Sequence, residues 1–342
     1  MDARLAHHAE LYGLSIVDPA CFEIERHRHG KGHRICFTSG ETIRDKELRA
    51  RVKQLVLPPA WSEVRICISE TGHIQAIGRD EKGRLQYRYH DRWADVRNAV
   101  KTERLLRFGH ALPALRAQVA RDMRRRTTDQ RMTAATATRL IDVAIMRPGH
   151  EKYAADGGRG VASLRKQNLR IVKNRVARLK FVGKSNKEHE ITIEDKRLVN
   201  ALKTVRKGKG QRLFRFPGKK RKTRELNANI LNSYMREAAG ARISAKDFRT
   251  FHGSAEALRF LIEEIGTSAD TEPKRKRAVA AAMRQVSERL RNTPAVARSS
   301  YVHPPILEAF EAGDLSPDLL KGRSREGLSR EETGLMRFLE RR

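Results

Sequence analysis

The chain has 342 residues, 72 of them Lys or Arg against 41 Asp or Glu, for a formal net charge of +31. A hydrophobic fraction of 39% is enough to bury a core, which excludes a disordered basic tail. So large an excess of positive charge attracts a polyanion and releases its counterions, making nucleic acid the expected partner; no run approaches the roughly 18 apolar residues of a membrane helix.

The first ninety residues read mostly as strand. Val64–Ile68, His73–Ile77 and Leu85–Tyr89 alternate apolar and polar residues, with turns at Gly72 and Asp80–Gly83, and Arg34–Thr38 is a fourth candidate. From Trp93 the period becomes helical, with helices expected near 95–109, 112–126 and 129–146 and Pro113 at the start of the second. A β meander follows: Leu169–Val172, Ala177–Val182 and Glu190–Ile193, joined by turns at Lys173–Arg175 and Gly183–Lys187. The Gly- and Lys/Arg-rich stretch 207–224 reads as a loop around a short strand. Helices then return on the faces Leu226/Ile230/Tyr234, Leu258/Ile262 and Val279/Met283/Val286/Leu290, with a stop at Gly266 and a capping box at Ser329 and Glu332. The expected class is α+β: a β-rich N-terminal domain over 1–92 and a larger, mainly helical domain over 93–342 that carries a three-stranded antiparallel sheet.

Cys21, Cys36 and Cys67 are odd in number and lack zinc-site spacing, so they read as reduced, mostly buried thiols. With no apolar leader in Met1–Glu10, a cytoplasmic protein is expected. Phosphate-loop and dinucleotide patterns are missing, carboxylates do not cluster, and no His pair flanks a Glu at metal-binding spacing. The expectation is therefore chemistry on side chains alone, with no metal or cofactor. Side chains can transfer a phosphoryl group if a nucleophile attacks, cations hold the transition state and an acid protonates the leaving oxygen.

Five local sequences supply such groups: Met146-Arg147-Pro148-Gly149, Phe181-Val182-Gly183-Lys184, Lys246-Asp247-Phe248-Arg249-Thr250, Asn292-Thr293-Pro294 and Ser299-Ser300-Tyr301. In this order and spacing they resemble the type IB DNA topoisomerases, most closely the compact form shared by poxviruses and bacteria. The resemblance runs from Leu57-Pro58-Pro59-Ala60-Trp61 to just beyond Tyr301 and takes in Gly83–Tyr89 and Leu226-Asn227. It implies that Tyr301 attacks a backbone phosphate of duplex DNA to give a 3′-phosphotyrosyl bond, without ATP. By the same resemblance Arg147 and Arg249 grip the non-bridging oxygens, and Lys184, among the hairpin lysines Lys180, Lys184 and Lys187, is the general acid. Asn292 stands where many relatives carry His; it can donate a hydrogen bond but no charge, so it is assigned to transition-state hydrogen bonding alone. Lys246 stands where the related tyrosine recombinases usually place His, and is expected to assist phosphate binding or proton transfer.

Tyr87 and Tyr89 share a strand face beside Gln86 and Arg88, a set suited to DNA contact as well as to an ordinary edge strand. His252 reads as structural and His303 as exposed. The basic runs Lys219–Lys222 and Lys274–Arg277 suit phosphate contact or plain solvation. The resemblance implies a monomer whose two lobes clamp duplex DNA. Two alternatives stay open: a tyrosine recombinase, and a DNA-binding protein that has lost the chemistry.

Overall fold

The computed structural model describes residues 3–30, 32–149, 158–183, 187–218, 222–265, 269 and 271–341. Two compact units divide at Lys101/Thr102. The first unit holds α1 (Ala3–Leu11), β1 (Ile24–His29), β2 (Gly32–Phe37), α2 (Lys46–Gln54), β3 (Ser62–Ile66), β4 (Ile74–Arg79) and β5 (Leu85–Tyr89). Its strands form one antiparallel sheet in the order β2-β1-β3-β4-β5. Ile24, Val64, Ile66 and Ala76 line one face and meet Ile43 and Val52, the latter from α2. Arg26 of β1 donates to the carbonyls of Leu57 (3.2 Å), Pro58 (2.8 Å) and Trp61 (2.9 Å), so one guanidinium fixes the whole Leu-Pro-Pro-Ala-Trp loop.

The expected strands are present with shifted ends, whereas β1, α1 and α2 were not anticipated. All three carry few buried residues (Ile24 in β1, Ala9 in α1, Val52 in α2), so their apolar periodicity is faint.

Helix α3 (Trp93–Asp122) corrects the expectation of two helices, since it continues through Pro113. Leu105, Phe108, Leu112, Leu115 and Val119 form one unbroken buried stripe along it. That stripe outweighs the loss of the Pro113 N–H. A side chain at Gly109 would collide with Met336 and Phe251, and one at Gly327 with Pro113, so close packing holds both sides of this point.

The second unit is built around α4 (Gln130–Ala144), capped by Asp129, whose carboxylate accepts from Met132 N–H at 2.9 Å. Ala134, Ala135, Ala137, Leu140 and Ile141 are fully buried, so the helix is enclosed on nearly all sides. Around it lie the meander β6 (Leu169–Val172), β7 (Val176–Val182) and β8 (Glu188–Ile193), α5 (Lys196–Arg206) and the hairpin β9 (Arg215–Pro217)/β10 (Thr223–Glu225). Helices α6 (Ala228–Ala239), α7 (Ala245–Ile265), α8 (Glu272–Leu290), α9 (Pro304–Ala312) and α10 (Arg330–Glu340) complete it. Lys173 and Asn174 take φ of 45° and 59° in the first meander turn. Ser329 and Glu332 form the expected capping box of α10. Gly266, Tyr153 and Lys219–Arg221 lie outside the described residues, and α7 runs to Ile265.

A buried charge network ties α3, α4, α7 and α10 together. Arg116 bonds both oxygens of Asp142 (2.9 Å each) and of Glu332 (2.8 and 2.7 Å), and His252 lies between the same carboxylates, 3.1 Å from Asp142 and 3.4 Å from Glu332. Burial works to raise both carboxyl pKa values, but hydrogen bonds from Arg116 and His252 outweigh it and hold both below the ordinary range.

Removing the shared cation with Arg116→Met strands two buried carboxylates and is expected to cost about 3–5 kcal/mol in urea unfolding at neutral pH. Because both folded pKa values are depressed, the stability they provide is complete above the unfolded carboxyl range of about 4 and is lost as pH falls through the folded values. Asp142→Asn should therefore flatten the acid limb of the unfolding midpoint against pH; an unchanged limb would refute the assignment.

Candidate active site

Helix α7 explains the Lys246-Asp247-Phe248-Arg249 sequence residue by residue. Asp247 accepts from Ser244 N–H at 2.7 Å and pairs with Arg104, while Phe248 packs edge-on against Phe108 at 4.9 Å. Those two contacts fix the start of α7 against α3. The helical period then turns Lys246 and Arg249 the other way, into a cavity of about 250 Å³. The described residues that line it include Arg147, Arg159, Lys246, Arg249, Arg291, His189 and Tyr301, and no carboxylate.

Arg249 is 2% exposed and its guanidinium spans two helix ends. Nη1 donates to the carbonyl of Ile145 just past α4 (2.5 Å) and Nη2 to that of Leu290, the last residue of α8 (2.8 Å). These carbonyls are the unpaired acceptors that helix C-termini leave, and they favour a cation. Burial and the nearby Arg147 push the Arg249 pKa down to about 10, with Tyr301 acting in the opposite sense, so it stays charged at neutral pH. Its Nε is buried without a hydrogen-bond partner. Arg291 donates to Ala144 O at 2.9 Å, giving α4 a second cationic cap.

Arg147 follows Ile145, a β-branched residue at φ 51° that ends α4 sharply. The segment is then held by Val161 N–H to Arg147 O (3.0 Å) and Ala162 N–H to Pro148 O (2.7 Å). Gly149 (φ 84°) lies so close to Gly160 that a side chain on Gly160 would collide with it, which accounts for the glycine of Arg-Pro-Gly.

Tyr301 ends a π-helical turn, Ala297–Tyr301, closed by Val302 N–H to Ala297 O at 2.9 Å. Ser254 anchors it from α7, donating to Tyr301 O (3.2 Å) and accepting from His303 N–H (3.0 Å). The guanidinium carbon of Arg249 lies 4.6 Å from the centre of the Tyr301 ring. Burial works to raise the phenol pKa, but the positive charges of Arg249 and Arg147 override it and leave it below the ordinary tyrosine value.

Arg147, Lys246, Arg249 and Tyr301 thus share one cavity. Asn292 follows the cavity-lining Arg291 but is not itself among the residues that line the cavity; among the described residues both polar atoms of its amide are buried without a hydrogen-bond partner. Lys184 lies outside the described residues, directly after the cavity-lining Gly183. In the other unit, Tyr87 (43% exposed) and Tyr89 stack at 5.8 Å, and Tyr89 leans on Trp93. Gln86 and Arg88 alternate with them and are engaged internally, Gln86 with Asp80 (2.8 Å) and Arg88 with Asp91 (2.8 Å) and Leu55 O (3.3 Å).

His303 departs from expectation. It is buried rather than exposed, because it opens α9 against α7 and its Nε2 meets Thr102 Oγ1 at 2.9 Å. His252 is structural, as expected. Sequence reasoning missed His189, Arg159 and Arg291. His189 pairs with Phe181 across β7/β8, a register from which its place on the cavity wall follows once the meander is drawn. Among the described residues no helix is long and apolar enough to cross a membrane.

Comparison with known proteins agrees with this geometry. The family described as the eukaryotic DNA topoisomerase I catalytic core matches residues 90–312, and the bacterial DNA topoisomerase IB N-terminal domain matches 33–80. The chain is 30% identical to DNA topoisomerase 1B of Acanthamoeba polyphaga mimivirus over 281 residues, covering 80% of this chain and 83% of the relative. It is 24% identical over 234 residues both to DNA topoisomerase I of Monkeypox virus and to DNA topoisomerase 1B of Vaccinia virus (strain Western Reserve), covering 68% of this chain and 71% of each relative. The chain belongs to the type IB DNA topoisomerases, enzymes that relax supercoiled duplex DNA by cutting and rejoining one strand.

Proposed function

We propose that Tyr301 is the strand-cutting nucleophile and that Arg147, Arg249, Lys184 and Asn292, with Lys246, complete the site. Tyr301 gives its phenolic proton to solvent water, and the phenolate oxygen then attacks the scissile phosphorus, so that one phosphorus–oxygen bond forms while the bond to the 5′ oxygen breaks. Lys184 protonates the departing oxygen, leaving a 3′-phosphotyrosyl ester and a 5′-hydroxyl. The free end swivels, and the 5′-hydroxyl then attacks the ester by the same path in reverse, so no nucleotide is spent. Arg147 and Arg249 bond the non-bridging oxygens, where charge builds in the transition state. The Asn292 amide adds a neutral hydrogen bond, and Lys246 assists at the phosphate.

The observation that carries this reading is the Arg249 guanidinium 4.6 Å from the Tyr301 ring, in a cavity whose described lining holds cations and no carboxylate. Such a pocket suits an anion that must approach a second developing anion, the phenolate. We propose further that the protein acts as a monomer in the cytoplasm, on the nucleoid. The N-terminal domain would add a second DNA-contact surface through Tyr87 and Tyr89, with Gln86 and Arg88 at its margin, so that two lobes grip the duplex.

Supercoiled plasmid should be relaxed in EDTA without nucleotide, and Tyr301→Phe should bind DNA yet leave it supercoiled; relaxation by this variant would remove Tyr301 from its role. Denaturant quenching should leave protein on 3′ ends only.

The lowered phenol pKa gives a pH prediction. Phenolate is the attacking form, so single-turnover cleavage should rise with pH and level off below the ordinary tyrosine value of about 10. Arg147→Gln removes a cation that favours phenolate and should move the inflection upward as well as lower the plateau. An unmoved inflection would mean that Arg147 acts on the phosphate alone.

Lys184→Ala should slow cleavage by about 10²–10⁴-fold on ordinary DNA. A 5′-thiol leaving group departs as thiolate without a proton, so it should erase most of that defect. A defect that persists with the thiol would place Lys184 in phosphate binding.

A further inference from the structure

One titratable side chain in the cavity has no part in the proposed reaction. His189, on β8, lines the same cavity as Tyr301, Arg147 and Arg249. Its ring is held by the β7 wall. It lies 5.3 Å from the Phe181 ring and covers Gly183 so closely that a side chain at 183 would collide with the imidazole. The strand period puts the neighbouring Glu188 and Glu190 on the opposite face. Among the described residues neither ring nitrogen of His189 meets a hydrogen-bond partner. A half-buried imidazole that is fixed in place and makes no internal hydrogen bond is arranged for a ligand.

Resting on the assignment of Tyr301 above, we propose that His189 is a further catalytic residue, which donates a hydrogen bond to a non-bridging oxygen of the scissile phosphate from the β8 wall. Arg147 and Arg249 approach that phosphate from the ends of α4 and α7. His189 adds a donor from the sheet.

Among the described residues the charged and titratable groups around the ring are all cationic or neutral: Lys187 at the head of β8, Arg147 after α4, Lys246 and Arg249 on α7, Arg291 after α8, Arg159 and Tyr301. Burial first, then Arg291, Arg147, Arg249 and Lys187, depress its pKa and favour the neutral ring in the empty cavity. An entering phosphodiester offsets those cations and favours the imidazolium, so DNA engagement takes up a proton. The sign follows. The imidazolium's contribution is complete below the free-protein pKa and is lost as pH rises through the higher value in the complex.

The test is single-turnover cleavage of a duplex whose cut end dissociates, read beside DNA affinity. His189→Ala should cleave about 10²-fold more slowly, with duplex affinity lowered far less than the rate and the unfolding midpoint unchanged. His189→Gln, which keeps a neutral donor, should recover most of that loss, and its rate relative to wild type should improve between about pH 6 and pH 8. Gly183→Ala displaces the ring without deleting any polar group, so it should reproduce the His189→Ala defect and add nothing when combined with it. Wild-type cleavage by His189→Ala would overturn the proposal, as would a full additional loss in the double variant, which would point to the Lys184 turn instead. Failure of the underlying reading looks different: no covalent adduct would form with the wild type itself.

Discussion

The site depends on one interaction, the insertion of the Arg249 guanidinium between the C-terminal ends of α4 and α8. A buried arginine is costly unless its donors are met, and two of them are met by carbonyls that would otherwise be unpaired. Each partner thus removes the other's desolvation cost. The same bonds set where three chain segments begin: Arg147 leaves from the end of α4, Arg291 and Asn292 from the end of α8, and the turn toward Tyr301 follows them. Tyr301, the nearby cations and the Asn292 amide are therefore positioned by a single joint.

Behind that joint the packing resists relaxation. One turn beyond Arg249, His252 lies in the Arg116–Asp142–Glu332 network, and Gly253 and Ser254 abut the Tyr301 backbone. Helix α7 thus presents cavity-lining residues on one stripe and structural ones on the next. Asp142 lies three residues before Ile145, so the network fixes the very end of α4 whose carbonyl holds Arg249. A helix C-terminal to the nucleophile, α10, contributes Glu332 to the same cluster, which explains why the chain continues past Tyr301 with a packed segment.

Much of this was legible in the sequence, for identifiable reasons. Arg147, Arg249 and Tyr301 lie in short motifs whose neighbours have local tasks: Gly149 for a close backbone approach, Asp247 to cap α7, Phe248 to pack on Phe108. The two sheets were legible because their strands alternate cleanly. Charge-dense β1 and short α2 were not, since each buries a single residue fully. Pro113 suggested a break where the apolar stripe of α3 overrides it. His189 and His303 escaped for a common reason: what they share a site with is distant in sequence, the cavity-lining Arg249 and Arg291 for one and Thr102 for the other. Local pattern carries no such information.

The lowered pKa of Tyr301 also bears on the balance between cutting and sealing. In the reaction proposed above, the phenolate is the nucleophile in cleavage and the leaving group in sealing. Stabilising it with Arg249 and Arg147 makes it more available than a free phenol's anion but lowers its intrinsic reactivity, so the gain for attack is partial. For departure the same stabilisation acts in full, because the developing charge is received by cations already in place. The 5′ alkoxide, by contrast, has no permanent counter-charge of its own and leaves only with a proton. An arginine-lined phenol opposite a protonated alcohol therefore weights the pair of reactions toward sealing.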